Sequence, residues 1–524
     1  MVFSHGHQPE DAMKFATRFL KKFAVSIIAV LSCFDRVIFK GYLPFWGEAY
    51  LNSWVDYSLR IKRKDFLPLL EQHSQTLVGH AKSLAQRAGR PYEYRQGKFK
   101  KDKFIQALIR QDQLTEGMVA VLCVQETCRT VALKYGKGRP SLYFKRRPQR
   151  VLYYYHLDPE FGLMYVRLET WFPDTVPVYV NGHDWLARQM LKRRLGSVQH
   201  DNAFTQLDDP EKAQPLADRF AQLNWVKQLT KWAQQVNPHI GADGWLSDMS
   251  YYWVTAQAEF ATDILFAGRS KLRELYSRLL DHAAINFSAK DILTFLSRKL
   301  HGNFQGEVLT DCKKKRHPGA RVKHRVKENW LKMYDKFGLI LRVETVINQP
   351  REFRVRRRRE RKGQQQMVWC PMNKGVANLP SYQRVSQAAN DRYLNALSVV
   401  ADPAPAYRQV AHLAESKRHR GRRYAGFNPA RREDVKLFQA VLSGEHLLRG
   451  FRNAEIREAL WGTTKDRRQR RSRANAVTRL LKRLHVRGLL AKIPRTRRWR
   501  VTAIGQQLLG TMIQLHYHGL PLAA

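Results

Sequence analysis

The sequence predicts an α+β protein: two duplicated units, each an antiparallel sheet with helices, then a smaller C-terminal domain of helices and a β-hairpin. Three observations carry this expectation. Apolar residues recur at helical spacing over 46–88 and 209–236, and at strand spacing over 150–180 and 321–347. Three short blocks return in the same order later in the chain, and past residue 400 the composition turns strongly basic. The expected boundaries are 1–200 for the first unit, 201–400 for the second, 401–430 for a basic linker and 431–524 for the last domain.

The totals narrow the class of partner. Lys and Arg outnumber Asp and Glu 92 to 45 in 524 residues, a net charge of +47. That excess exceeds what solubility requires and points to a polyanion, most simply nucleic acid, DNA ahead of RNA. A membrane surface is the competitor, but binders of that kind concentrate their charge on one amphipathic helix. Here it recurs along the chain. The five cysteines (33, 123, 128, 312 and 370) form no CxxC pair and have no His partners at finger spacing, so they read as reduced core thiols and argue against a structural zinc site. Lys21-Lys22 before FAVSIIAVLSCF resembles a signal peptide, yet the apolar run is short, starts late and continues into FDRVIFKG. It is expected to be a buried strand. The protein is expected to be cytoplasmic and nucleoid-associated, without a membrane partner, and a homodimer is open to it.

Element by element, a helix is expected over 10–22 and two strands over Val25–Tyr42, meeting near Ser32. Helical spacing holds to Ala88, YEYR at 92–95 reads as a strand, and a basic helix follows over 101–112. Strands are expected at 118–124, 129–134, 150–157, 163–171 and 176–180, then a helix from His183 to Arg194. Helices over 209–236 close on the loop NPHIGADG. Tyr251–Phe266 reads as strand and leads into helices at 269–283 and 288–300. RVRRRRERKGQQQ (354–366) reads as a solvated loop whose Arg356, Arg357 and Arg358 can grip phosphates. Proline and basic clusters between 379 and 425 mark the interdomain boundary.

The repeat has three blocks. Phe34-Asp35 to Gly41 echoes Thr262-Asp263 to Gly268, and Lys64-Asp65 to Leu70 echoes Lys290-Asp291 to Leu296. Tyr155 to Thr170, with Arg167 and Glu169, echoes Tyr334 to Thr345, with Arg342 and Glu344. The first copy carries an insertion at about 93–145. Each half then holds an Asp on an early strand and a Glu on a late one, and paired carboxylates suit a hard divalent cation, Mg²⁺ or Mn²⁺. Equally, Arg167–Glu169 and Arg342–Glu344 read as ion pairs of little consequence.

The chemistry is expected on the meander that begins at Gly319-Ala320. Its strands run Arg321–Val326, Trp330–Tyr334 and Leu339–Ile347, joined at Lys327-Glu328-Asn329 and Lys336-Phe337-Gly338. Neighbouring strands lie roughly 4.8 Å apart, which is expected to bring Tyr334, Asp335 and Glu344 together. A phenol beside carboxylates suits metal-assisted cleavage of a phosphodiester. Tyrosine needs such help because its unperturbed pKa is near 10, and Lys332 and Lys336 flank it. A tyrosine on a basic sheet also suits stacking on bases.

Residues 251–348 resemble the trans-acting initiators of rolling-circle replication in plasmids and phages. The resemblance rests on Gln257-Ala-Glu259-Phe-Ala261-Thr-Asp263, Tyr334-Asp335-Lys336 and Arg342-Val343-Glu344. It implies a strand-nicking endonuclease in which Tyr334 attacks a phosphate and Lys336 offsets charge. A metal would sit on Asp263, Glu344 and Glu259, with Asp35 and Glu169 as first-repeat counterparts. The sequence departs from the pattern at Gln257 and Glu259.

At the C-terminus, helices are expected over Arg432–Ser443, over AEIREALWG behind Asn453, and over Ser472–Arg487. Leu489–Ile493 and Trp499–Thr502 flank a basic tip, and a last helix follows. This is a winged helix, and it resembles the domain of MarR-type regulators; the whole chain resembles a bacterial family labelled for that tail. Between Lys465 and Arg500 stand 15 Lys or Arg and one acid, Asp466. Arg473, Asn475, Arg479, Lys482 and Arg483 are expected to meet a major groove, with Arg495, Arg497 and Arg498 on the wing. The leading expectation is a mobile-element or replication protein that nicks a strand. A non-catalytic regulator and a structured-RNA-binding protein are the alternatives.

Overall fold

The computed structural model describes residues 16–45, 47–97, 99–136, 138–298, 308–314, 320–361, 363–400, 412–428 and 431–518. The chain is α+β with a large mixed sheet. It divides into two compact units, the first of residues 31–261 and 346–384, the second of 1–30, 262–345 and 385–524. Among the described residues, no helix is long and apolar enough to cross a membrane. The start of the expected helix over 10–22, Gly319, and 401–411 of the expected linker lie outside the described residues.

The strands, in chain order, begin with β1 (Ile27–Tyr42), β2 (Tyr92–Arg95), β3 (Gly117–Lys134), β4 (Ser141–Asp158), β5 (Gly162–Glu169) and β6 (Val176–Asn181). A small hairpin, β7 (Ser197–His200) and β8 (Ala203–Leu207), precedes β9 (Tyr252–Phe266). β10 (Val308–Lys314), β11 (Ala320–Val326), β12 (Asn329–Lys336) and β13 (Ile340–Ile347) follow, then β14 (Arg354–Arg361) and β15 (Gln364–Pro371). Three-residue pairs close the set: β16 (Lys417–His419) with β17 (Arg422–Tyr424), and β18 (Leu490–Lys492) with β19 (Trp499–Val501).

In the first unit the sheet order is β9-β1-β6-β5-β4-β3-β2, antiparallel from β1 to β3 and closed by β2 parallel to β3. β1 is one strand where two were expected. Ser32 does not break it, because the Gln214 side chain satisfies both its backbone groups, accepting from its N–H at 2.9 Å and donating to its carbonyl at 2.8 Å. β3 is likewise continuous through Gln125–Cys128, paired residue for residue with β4. Successive strand residues face opposite ways, so Tyr153 and Tyr155 meet Ile105 of the helix Lys101–Gln111. Phe34 packs on Phe220 and Phe260, and Phe39 on Trp225, under the helices Pro210–Arg219 and Trp225–Val236.

In the second unit the order is β10-β11-β12-β13-β9. β10 was not expected. It pairs with β11 from Val308↔Val326 to Lys314↔Ala320, and its polar sequence hides strand periodicity. Phe287, Phe295, His324 and Tyr393 form an aromatic core beneath the sheet. The C-terminal elements belong to this unit. Helices Arg432–Val441, Gly444–Arg449, Asn453–Trp461, Arg467–Val486 and Ala503–His518 share a core with the β18–β19 hairpin. Leu413 and Phe427, from the expected linker, are buried in that core. The helix Gly444–Arg449 docks on the helix Ala289–Phe295. Lys290 pairs with Glu445 at 2.8 Å, Asp291 accepts from the Glu445 N–H at 3.0 Å, and a Cβ at Gly444 would lie 2.9 Å from the Phe295 ring.

Candidate active site and nucleic-acid interface

β12 and β13 are joined by a tight turn with positive φ at Phe337 (61°) and Gly338 (71°), the backbone of a primed hairpin turn, which glycine adopts without strain. The Leu339 N–H donates to the Lys336 carbonyl at 3.1 Å. The hairpin holds Tyr334 Oη against Glu344 Oε2, donating at 2.6 Å, while Lys332 Nζ donates to Glu344 Oε1 at 2.8 Å. Glu344 is 1% exposed and Tyr334 is half-buried. Lys336 lies two residues on, along the same strand, and is buried with its ammonium 5.2 Å from the Phe337 ring.

Asp335 corrects the expectation. It follows Tyr334 directly, so it faces the other side of β12, where it accepts from the Gly338 N–H at 2.9 Å and braces the turn. Burial pushes its carboxyl up to about 6.

The other acids singled out in the sequence are Asp263, Glu169, Asp35 and Glu259. Asp263 is held by Arg342, whose Nε and Nη2 donate to its two oxygens at 2.5 and 2.6 Å; Arg342 is fully buried. Glu169 accepts from Arg167 at 2.9 Å, and Arg167 also grips Glu126 at 3.0 Å. This is a partly buried network rather than the exposed pair that sequence spacing suggested. In the first unit Asp35 accepts from Asn181 at 3.1 Å and from Asn202 at 2.7 and 2.6 Å. Glu259 lies beside it: both are buried, with a carboxylate oxygen of each within 4.8 Å of the other. Such a hard-oxygen set fits Mg²⁺ or Mn²⁺.

The sequence reading missed a second Lys–Glu–Tyr trio, in the first unit. Tyr153 Oη and Lys101 Nζ both donate to Glu126 Oε1, at 2.8 and 2.7 Å. Burial would raise Glu126, but the Lys101 bond and the Arg167 charge outweigh it and hold the carboxyl below its ordinary range. Tyr153 is buried, which drives its phenol pKa well above the usual value. No local pattern marks this trio, because Lys101, Glu126 and Tyr153 come from three separate elements.

At the C-terminus, the helix Arg467–Val486 begins five residues before the expected Ser472. Asp466, the segment's one acid, caps it by accepting from the Arg468 N–H at 2.8 Å, and that was the available signal. The earlier start adds exposed Arg467, Arg468, Arg470 and Arg471 to exposed Asn475, Arg479 and Lys482. Arg495 and Arg497, at the tip between β18 and β19, are also exposed.

No family model, curated protein or solved structure matches this chain. The chemistry of its own residues therefore carries the assignment.

Three of the expected groove contacts are committed inward. Arg483 donates to the carbonyls of Ala425 and Gly426 and lies 4.1 Å over the Phe427 ring. Arg498 donates to the carbonyls of Arg449 at 3.1 Å and Gly450 at 2.7 Å. Arg473 donates to the Trp461 carbonyl at 3.1 Å. The run at 354–366 is not a loop but the greater part of a two-stranded ribbon, β14–β15. Arg356 and Arg358 are exposed on it, whereas Arg357 is half-buried and bonded to Asn378.

Proposed function

We propose that this chain is a nucleic-acid-binding protein of a mobile element or replicon that nicks a strand with Tyr334. The observation that carries the reading is the Tyr334–Glu344–Lys332 trio. A phenol already donating to a buried carboxylate has a proton acceptor in place, and the ammonium on the same carboxylate offsets charge. Tyr334 Oη forms a bond to phosphorus as the bond to the leaving sugar oxygen breaks; the phenol proton passes to Glu344, and the leaving oxygen takes a proton from water to become the free hydroxyl of the nicked strand. Lys336 supplies a second cation along the strand. In the first unit, Asp35 and Glu259 would hold a divalent cation, which would polarise a phosphate bound there.

The C-terminal helices and hairpin act as a winged helix whose exposed Arg468, Arg471, Asn475, Arg479 and Lys482 meet a duplex, with Arg495 and Arg497 on its backbone. Strand order supports internal duplication. Each half runs from an early strand to its last strand and then backwards: β1-β6-β5-β4-β3 and β9-β13-β12-β11-β10. By sheet position Asp35 matches Asp263, and the adjacent strand answers each acid, with Asn181 in one half and Arg342 in the other. That alignment pairs β5 with β12, one strand away from the match of Glu169 to Glu344.

A second reading, a non-catalytic regulator or structured-RNA binder, is favoured by Asp263, whose oxygens Arg342 already occupies. Supercoiled DNA with Mg²⁺ or Mn²⁺ separates the two. The nicking reading requires a nick that leaves protein covalently attached, lost in Tyr334→Phe and reduced in Glu344→Gln. Intact DNA with wild-type protein under every metal condition overturns it.

A further inference from the structure

The β14–β15 ribbon, in the first unit, has the composition of a binding surface. Its strands pair from Arg354↔Pro371 to Arg361↔Gln364. The base is fixed by buried Phe353, Val355, Cys370 and Met372, and the Met372 N–H donates to the Phe353 carbonyl at 2.8 Å. Beyond that anchor the two faces differ. One carries Val355 and Cys370 and then half-buried Arg357 and Val368, with Arg357 tied to Asn378. The other is exposed along its length: Arg354, Arg356 and Arg358 on β14, with Trp369 and Met367 opposite the last two.

On that outer face Trp369 and Met367 are each 51% exposed, unusual for side chains whose burial would stabilise the fold. The three arginines stand two residues apart, about 6.8 Å per step on an antiparallel strand. This is comparable with the spacing of successive phosphates along a nucleic-acid strand. Arg356 lies 5.9 Å from the Trp369 ring, bracing the indole.

The geometry points to a platform for single-stranded nucleic acid on this face, with Arg354, Arg356 and Arg358 on successive phosphates and Trp369 stacked on a base. A single strand fits better than a duplex because an indole can stack only on a base whose face is free. Met367 extends the apolar surface beside it. The inference rests on the nucleic-acid reading above and adds the form of the ligand: the ribbon holds the unpaired strand while the C-terminal helices hold the duplex.

The test uses the full chain and fluorescence anisotropy with labelled polythymidylate DNA, polyuridylate RNA and a mixed-sequence duplex of equal length. Trp369→Ala is expected to weaken single-strand binding about five- to about 150-fold, the range for one lost base stack. Trp369→Phe keeps most of the affinity. Replacing Arg354, Arg356 and Arg358 with Ala is expected to flatten the slope of log affinity against log salt by about 2. All three variants leave duplex binding unchanged, whereas Arg479→Ala with Lys482→Ala weakens it. A response with DNA alone, RNA alone or both supports the platform and identifies its source. The platform is overturned if the Trp369 and arginine variants bind single strands like wild type, or lose duplex binding equally. Unaltered duplex binding in the Arg479/Lys482 variant counts against the C-terminal assignment alone. Wild-type protein that binds none of the three overturns both.

Discussion

At the scale of single residues, burial decides which groups titrate. His324 is fully buried between Thr310, 2.9 Å from its Nδ1, and Tyr393, 3.0 Å from its Nε2. Burial disfavours the imidazolium and pulls its pKa down to about 3. An unfolded histidine titrates near 6.5, so below that pH the unfolded chain binds the extra proton and stability is lost as pH falls. Asp335 and Asp391 work the other way, since burial pushes each up to about 6. The native state holds their protons longer, and stability is lost as pH rises from about 4 through about 6. Urea midpoints for wild type and His324→Gln at pH of about 7 and about 4.5 separate these effects. Wild type is expected to lose more on acidification than the variant; equal losses exclude His324 as an acid trigger.

At the scale of elements, the helix Arg467–Val486 divides its arginines between two tasks. Arg483 and Arg487 turn back to the carbonyls of residues 415–426 and flank the Phe427 ring at 4.1 and 5.4 Å, while Arg479 and Lys482 face solvent. Arg483→Ala is expected to destabilise the C-terminal elements by about 1–2 kcal/mol, through lost hydrogen bonds and a lost cation–π contact. Arg479→Ala should leave the melting temperature unchanged and weaken duplex binding. Thermal melts and anisotropy on the two variants check this; equal effects on both readouts would contradict it. Helical periodicity did show this helix in the sequence, with Val477, Leu481 and Leu484 marking its buried side. It does not show which arginines reach carbonyls of a distant segment. The β14–β15 ribbon was hidden for a related reason, since arginines on both faces erase the alternation that marks a half-buried strand.

At the scale of the whole molecule, the C-terminal elements are built into the second unit rather than tethered to it. Gly444 leaves no room for a side chain against Phe295, and Lys290–Glu445 closes the same contact. Gly444→Leu is expected to cost about 1–3 kcal/mol by overpacking. It should also split one calorimetric transition into two as the C-terminal elements unfold separately. A single unshifted transition would show that the contact carries no stability.

The sequence alone determined what is additive and local: a charge of +47, the α+β pattern, and strands and helices whose apolar periodicity faces a core. Only tertiary structure decided the partner of most charges, placing Arg342 on Asp263, Tyr153 and Lys101 on Glu126, and Asp35 beside Glu259. Charge and periodicity sum along the chain, whereas an ion pair depends on which strand or turn lies alongside. That is set by contacts between residues far apart in sequence.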